Sequence, residues 1–320
     1  MIWLWRILMK IRFWGVRGSI PTPLTPEKLK SKISSVVQRI NLDDIESQES
    51  RELFIARLPE SIFSTVGGNT SCVEVKTDEH CHLIFDAGTG IQNLGRQLAA
   101  LKRPLAIHLF FSHFHWDHIQ GLPFFAPAFD PANHITLYSP VNGFREILAK
   151  QMSPPYFPVG MEVMQACKEF CVVEGHGVKI GELTIRQRGM NHPGGCYSYS
   201  IEEHGHKIIY STDTELSSSD FDRTPENERY FKSADALIID TQYTLGEAIE
   251  KQDWGHSSFS LAADFASSWQ IKKLILFHHE PGYNDQKIDT IFKSASWYLG
   301  HLEERGIEVI LAREGLEIEL

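Results

Sequence analysis

Phe111-Ser112-His113-Phe114-His115-Trp116-Asp117-His118 places three histidines and one aspartate within six residues. It follows directly on the apolar run Leu105-Ala106-Ile107-His108-Leu109-Phe110-Phe111. That run reads as a buried strand, being apolar, rich in β-formers and bounded by Pro104 and the polar cluster. A loop leaving a buried strand can aim several side chains into one cleft. Neutral imidazoles and a carboxylate are the donors that cations such as zinc, manganese and iron prefer. Four ligand-type residues crowded at a strand end point to metal chemistry rather than to a polar surface turn.

Working outward, Gly67-Gly68-Asn69-Thr70 turns into a strand over 71–76, with a hairpin partner at 82–85 that ends in Asp86-Ala87-Gly88-Thr89-Gly90. Residues 91–101 carry apolar side chains at helical spacing. Beyond the histidine cluster, the pattern predicts a strand at 135–138 and a helix at 143–151. Pro154-Pro155-Tyr156-Phe157-Pro158 then forms a rigid aromatic loop suited to overhanging a pocket. Upstream, a strand at 10–14 runs into the Gly- and Pro-marked loop Gly15-Val16-Arg17-Gly18-Ser19-Ile20-Pro21-Thr22-Pro23. The polar stretch after it has helix-spaced Leu29, Ile33, Val36, Val37 and Ile40. It reads as a helical insertion at about 24–63, and offers a surface for a lid or a homodimer contact.

The second half repeats the alternation. Strands are expected at 169–173, 178–187, 197–202, 207–211, 236–240, 273–277, 308–311 and 316–320, and helices at 257–268 and 289–302. Each half supplies a sheet and covering helices, which predicts an α/β chain of two sheets face to face with helices outside. Residues 9–320 are expected to form one domain. Residues 1–8 are expected to be an N-terminal extension, being apolar but too short to span a bilayer and without a small-residue cleavage site.

The 320 residues are 42% hydrophobic and 22% charged, enough for a sizeable core, with a formal charge of −10. That acidic balance argues against a general nucleic-acid binder, which shows a basic face. It leaves room for a small anionic substrate at a site made positive by metal. The five cysteines are odd in number and match no disulfide framework; Cys167 and Cys171 stand one helical turn apart. A reducing cytoplasm is the expected location, without membrane attachment.

Further ligand-type residues recur at strand ends. Asp86, Asp213 and Asp240 each close an apolar run, and His192 lies in Gly189-Met190-Asn191-His192-Pro193-Gly194-Gly195-Cys196. His256 stands in Trp254-Gly255-His256-Ser257-Ser258, and His278-His279 follows Leu274-Ile275-Leu276-Phe277. Singly, each suits a turn or a cap. Jointly they mark one edge of a sheet.

With these residues in order, the chain resembles the metallo-β-lactamase superfamily of metallohydrolases over nearly its whole length, the insertion apart. The His-x-His-x-Asp-His signature is complete from His113 to His118, and His192, Asp213 and His278 match the later elements. The resemblance implies a four-layer αββα sandwich with two divalent metal ions at one edge, zinc first, with manganese or iron the alternatives. It implies that His113, His115 and His192 hold one metal, that Asp117, His118 and His278 hold the other, and that Asp213 bridges them. Asp86 matches the acidic residue that buttresses such sites, and a one-residue shift from His278 to His279 stays open.

Within the superfamily, His115 speaks against flavodiiron oxidoreductases, which carry Glu there. Two stretches resemble phosphodiesterases such as tRNA 3′-processing endonucleases: residues 192–202, and Gly255-His256-Ser257-Ser258 followed by Leu261-Ala262-Ala263. There the histidine assists proton transfer at the scissile phosphate, so Asp117 and His256 are the candidate catalytic residues. The opening Phe13-Trp14-Gly15-Val16-Arg17-Gly18-Ser19, with Gly67-Gly68-Asn69-Thr70-Ser71, resembles a bacterial subgroup with relatives that cleave cyclic phosphodiesters. The implied activity is hydrolysis of a small phosphodiester, with a cyclic nucleotide among the candidates, through a metal-bridging hydroxide. No stable nucleic-acid partner is expected. A glyoxalase II-type thioester hydrolase shares the ligands and is the alternative; a non-catalytic binding module would have lost some of them.

Overall fold

The computed structural model describes residues 9–77, 82–302 and 306–320; the 1–8 extension and Cys81 lie outside the described residues. One sheet is built from β1 (Lys10–Gly15), β2 (Cys72–Lys76), β3 (His82–Phe85), β4 (Ala106–Phe110), β5 (His134–Ser139) and β6 (Cys167–Val172). The second is built from β7 (Val178–Ile180), β8 (Leu183–Met190), β9 (Cys196–Glu203), β10 (His206–Ser211), β11 (Ala236–Asp240), β12 (Lys273–Phe277) and β13 (Glu308–Leu311). The last strand, β14 (Glu317–Glu319), returns to pair antiparallel with β1 and closes the first sheet. Both sheets contain a parallel run, β3 to β6 in one and β10 to β13 in the other, and these runs carry all the expected metal residues except His192, which follows β8.

The strands alternate between two apolar environments, as period-2 side chains on a doubly covered sheet must. Phe85 and Phe110 point inward, and the Phe85 ring lies 5.7 Å from Tyr199 and 5.5 Å from Tyr210 of the opposite sheet. Ile84, Ile107 and Leu109 point outward, onto Ile91, Leu94 and Leu98 of the helix Ile91–Ala99 and onto Phe144 and Leu148 of the helix Phe144–Gln151. The second sheet is covered by the helices Phe259–Ser268 and Asp285–His301. The order helix, sheet, sheet, helix is the expected αββα sandwich. Removing one of the inter-sheet rings, as in Phe85→Ala, would cost roughly 3–5 kcal/mol.

The segment between β1 and β2 is helical, over Pro26–Val37, Gln48–Arg57 and Glu60–Phe63. Thr25 caps the first helix through Lys28 N–H, with proline at its first turn, where the missing N–H has no cost. That helix buries none of its residues. It is fastened instead by Lys32, whose Nζ reaches the carbonyls of Ser61 (2.6 Å) and Ser64 (2.7 Å) and Asp285 Oδ2 (2.8 Å).

Two local expectations are corrected. Residues 178–187 are not one strand: Gly181, at φ +55°, turns the chain into the β7–β8 hairpin. Cys167 and Cys171 do not share a helical turn but lie on extended β6, where Cys167 is exposed. In a strand, residues four apart share a face but stand about 13 Å apart along it, too far to meet.

Candidate metal centre

Parallel strands deliver their C-terminal loops to one edge, and β8, two antiparallel steps from β10, shares that direction. His192, in the β8–β9 turn, therefore arrives beside Asp213 after β10, Asp240 at the end of β11 and His278 after β12. The facing sheet contributes Asp86 after β3 and the 112–118 loop after β4. Three of these residues, Asp86 (φ +63°), Asp213 (φ +42°) and His278 (φ +61°), sit in the left-handed region although none is glycine. Each turns the chain sharply off its strand, at a backbone cost of order ~1 kcal/mol.

The side chains form two groups around one carboxylate. His113, His115, His192 and Asp213 place donor atoms within 4.8 Å of one another, and so do Asp117, His118, His278 and Asp213. Asp213 Oδ2 lies 3.7 Å from both His113 Nε2 and His192 Nε2, and its Oδ1 lies 3.0 Å from His118 Nε2 and 3.1 Å from His278 Nε2. Asp117 Oδ2 faces the second group, 3.1 Å from His118 Nε2 and 3.4 Å from His278 Nε2, and accepts the Ser19 N–H at 2.8 Å. His113 Nε2 is buried without a hydrogen-bond partner, and His118 Nε2 is buried against Asp117 and Asp213 oxygens without a well-directed hydrogen bond to either. Buried polar nitrogens are satisfied almost everywhere in folded proteins, so two orphans facing one carboxylate fit a cation site.

The outer nitrogens are fixed from behind, which sets the tautomer. His118 Nδ1 meets Asp86 Oδ2 at 2.8 Å, His192 Nδ1 meets the Gly255 carbonyl at 2.9 Å, His278 Nδ1 meets Gln242 Oε1 at 3.0 Å, and His113 Nδ1 meets Ser112 Oγ at 3.0 Å. Asp86 also accepts from Ser112 N–H, Ser112 Oγ and the Tyr210 hydroxyl, each at 2.7 Å, so it buttresses the cluster from below as expected. A methyl at Gly18 would stand 2.5 Å from His278 Cε1, and one at Gly255 2.2 Å from His192 Nδ1. Both glycines let backbone lie directly against an imidazole.

The charges agree with this division. Burial holds His113, His115 and His192 below the ordinary imidazole value, which keeps them neutral with lone pairs to give. Burial disfavours ionised Asp213, but His118, His278 and His113 outweigh it and hold the carboxyl well below the usual range. His118 is buried too, yet Asp213, Asp117 and Asp86 raise it well above the ordinary value. Three carboxylates around one imidazole concentrate the negative charge that a divalent cation would neutralise.

His278 turns into this cluster and His279 does not. His279 is buried against the Ala312 carbonyl (Nε2 to O, 2.8 Å), and that burial lowers it to about 3. His256 lies over the cluster, its ring 5.2 Å from that of His278 and 5.4 Å from that of His192. Its Nδ1 meets Asp240 Oδ2 at 2.6 Å; burial opposes its charge, but Asp240 prevails and raises it to about 9. An open cleft of about 490 Å³ above the cluster is lined by Ser19, His115, Asp117, His192, Asp213 and His256, and flanked by Trp116 and Trp254. Sequence reasoning passed over Gln242, the Gly255 carbonyl and the two tryptophans. Gln242 alone carried a signal, standing two residues past the Asp240 strand end.

A family described as beta-lactamase superfamily domain matches residues 82–279, which spans both halves of the site. The chain belongs to this metallo-β-lactamase superfamily, and it is a hydrolase of that fold. It is 24% identical over 261 residues to a ribonuclease BN of Enterobacter sp. (strain 638), covering 66% of this chain and 82% of that one. The metallo-β-lactamase-fold protein YhfI from Bacillus subtilis superposes with a TM-score of 0.65 at 17% identity, covering 98% of this chain and all of that one. A diphosphatase from the PhnP family superposes with a TM-score of 0.62 at 14% identity, covering 98% of each chain. Among the described residues no helix is long and apolar enough to cross a membrane.

Proposed function

We propose that the chain is a binuclear metal-dependent phosphodiesterase acting on a small phosphodiester, with cyclic nucleotides the first substrates to test. His113, His115 and His192 would hold one cation and Asp117, His118 and His278 the other, with Asp213 between them and zinc the expected metal. Such cations supply Lewis acidity toward a phosphoryl oxygen and toward water. The ribonuclease and diphosphatase names among the similar proteins support phosphorus–oxygen chemistry. The acidic net charge favours a small substrate over a long RNA.

The Asp240–His256 pair carries the reading. Hydrolysis adds the oxygen of water to phosphorus and breaks the bond to a carbon-bearing oxygen, which departs as an alkoxide and must take up a proton. Asp240 bonds His256 Nδ1 at 2.6 Å over the cluster and favours its imidazolium, the form that can give that proton. A glyoxalase II-type thioesterase would use the same metal residues, but a thiolate, near its own pKa at neutral pH, leaves without such help.

Metal-loaded protein should therefore cleave bis(p-nitrophenyl) phosphate and leave a glutathione thioester intact. His256→Ala should slow cleavage of a diester with an alkoxide leaving group by about 10²-fold or more, and that of p-nitrophenolate, which needs no proton, far less. An equal loss on both leaving groups, or thioester cleavage alone, would overturn the assignment. Cleavage of a tRNA 3′ extension in preference to any small diester would move the substrate to RNA.

A further inference from the structure

Beside the metal cleft, and sharing Phe114 and Trp116 with it as lining residues, lies a second open cavity of about 620 Å³. Its walls are rings: Phe124, Tyr156 and Phe157 face it alongside the shared pair, with Lys150 beside them. Tyr156 and Phe157 come from the proline-flanked loop that the sequence suited to overhanging a pocket. Trp116 is 78% exposed, Tyr156 70% and Phe124 54%. Exposed rings gathered beside a catalytic cleft mark a ligand surface, since each leaves apolar area in water. Two rings are anchored: Phe114 stacks on Phe111 (5.6 Å) and Phe144 (6.1 Å), and Phe157 meets Phe124 edge-on at 5.9 Å. These contacts hold part of the wall in place, and the cavity's size suits one small-molecule moiety.

Resting on the phosphodiesterase reading, we propose that this cavity binds the nucleobase of the substrate, so that the enzyme takes nucleotide phosphodiesters in preference to sugar or alkyl ones. A phosphate over the metal residues puts its substituent against Phe114 and Trp116, the two side chains common to both spaces. Aromatic rings on several sides suit a flat π-system, and stacking on such rings tolerates any base. Lys150 adds a cation for polar base edges or for a second phosphate.

The test compares adenosine 5′-monophosphate with ribose 5-phosphate, which differ only by the base. Both are used as inhibitors of bis(p-nitrophenyl) phosphate cleavage and, separately, as quenchers of tryptophan fluorescence in protein without metal. The nucleotide should bind roughly tenfold tighter, and Tyr156→Ala and Phe124→Ala should each erase most of that ratio, while Tyr156→Phe keeps it. Both positions are exposed enough for the variants to fold. Equal inhibition by the two phosphates, or a ratio unchanged in the variants, overturns the base pocket and leaves the phosphodiesterase standing. Base-dependent quenching without cleavage of any diester upholds the pocket and defeats the phosphodiesterase. Sedimentation with phosphatidylcholine vesicles, lost in the same variants and without base preference, would assign the rings to a bilayer and overturn the proposal.

Discussion

The Tyr210 hydroxyl crosses from the second sheet to Asp86 of the first, 2.7 Å from the carboxylate oxygen that also holds His118 Nδ1. One buried hydrogen bond thus joins the sandwich interior to a ligand-type histidine. Tyr210→Phe keeps the ring packing on Phe85 and Phe277 and removes only the tie. It should cost about 1–2 kcal/mol in denaturant unfolding. Metal affinity, measured by chelator competition, should fall about tenfold as His118 loses part of its support.

Asp213 faces both histidine groups with separate oxygens, so Asp213→Ala should remove metal and activity together. His256→Ala, in contrast, should keep full metal content by atomic absorption while turnover falls. Retention of both metals in the Asp213 variant would remove that residue from the site.

Gly18 lies against the ring of His278, and a methyl there would also stand 3.0 Å from Gln242 Oε1. In Gly18→Ala the imidazole must move and its bond to Gln242 must stretch. The expected result is a fold destabilised by about 1–3 kcal/mol and weaker binding of one of two cations, seen as a changed metal stoichiometry at equal free metal.

Asp285 ties the insertion to the sandwich, accepting from Lys32, the Val66 N–H and the Thr65 hydroxyl. Burial would raise its carboxyl, but those hydrogen bonds and the Lys32 charge outweigh it and hold it below the ordinary value. With the folded value depressed, the stabilisation is fully present above the unfolded pKa near ~4 and is lost as pH falls through the folded one. The stability gap between the parent protein and Asp285→Asn should therefore be of order 1 kcal/mol at pH 7 and close as pH falls through the depressed folded value. Trypsin should cut the 26–63 helices of the variant sooner. A gap that persists at low pH would show that the tie is not electrostatic.

The sequence announces what depends on residue type and short spacing. Both sheets are legible from apolar runs of strand length, and the 113–118 cluster from its donors alone. Asp213 and Asp240 stand out because each ends such a run. The choice between His278 and His279 was closed to inspection, because it depends on a single left-handed residue that sends one ring to Asp213 and the next to Ala312. Gln242 and the Gly255 carbonyl act through positions brought near only by folding. The break at Gly181 was hidden because Val178 to Ile180 and Leu183 to Gln187 are equally strand-like, and the turn between them is only two residues long.

The left-handed strand ends divide the site by how freely its donors can be exchanged. Asp213 and His278 each supply a donor and an unusual bend at one position, so a replacement must satisfy both at once. Glycine would accept the bend and lose the donor; glutamate would offer a donor and resist the bend. His115 and His192 carry no such double requirement. A lineage or an engineer altering cation preference would find substitutions tolerated in the His115–His192 half, while the Asp213–His278 half stays constant.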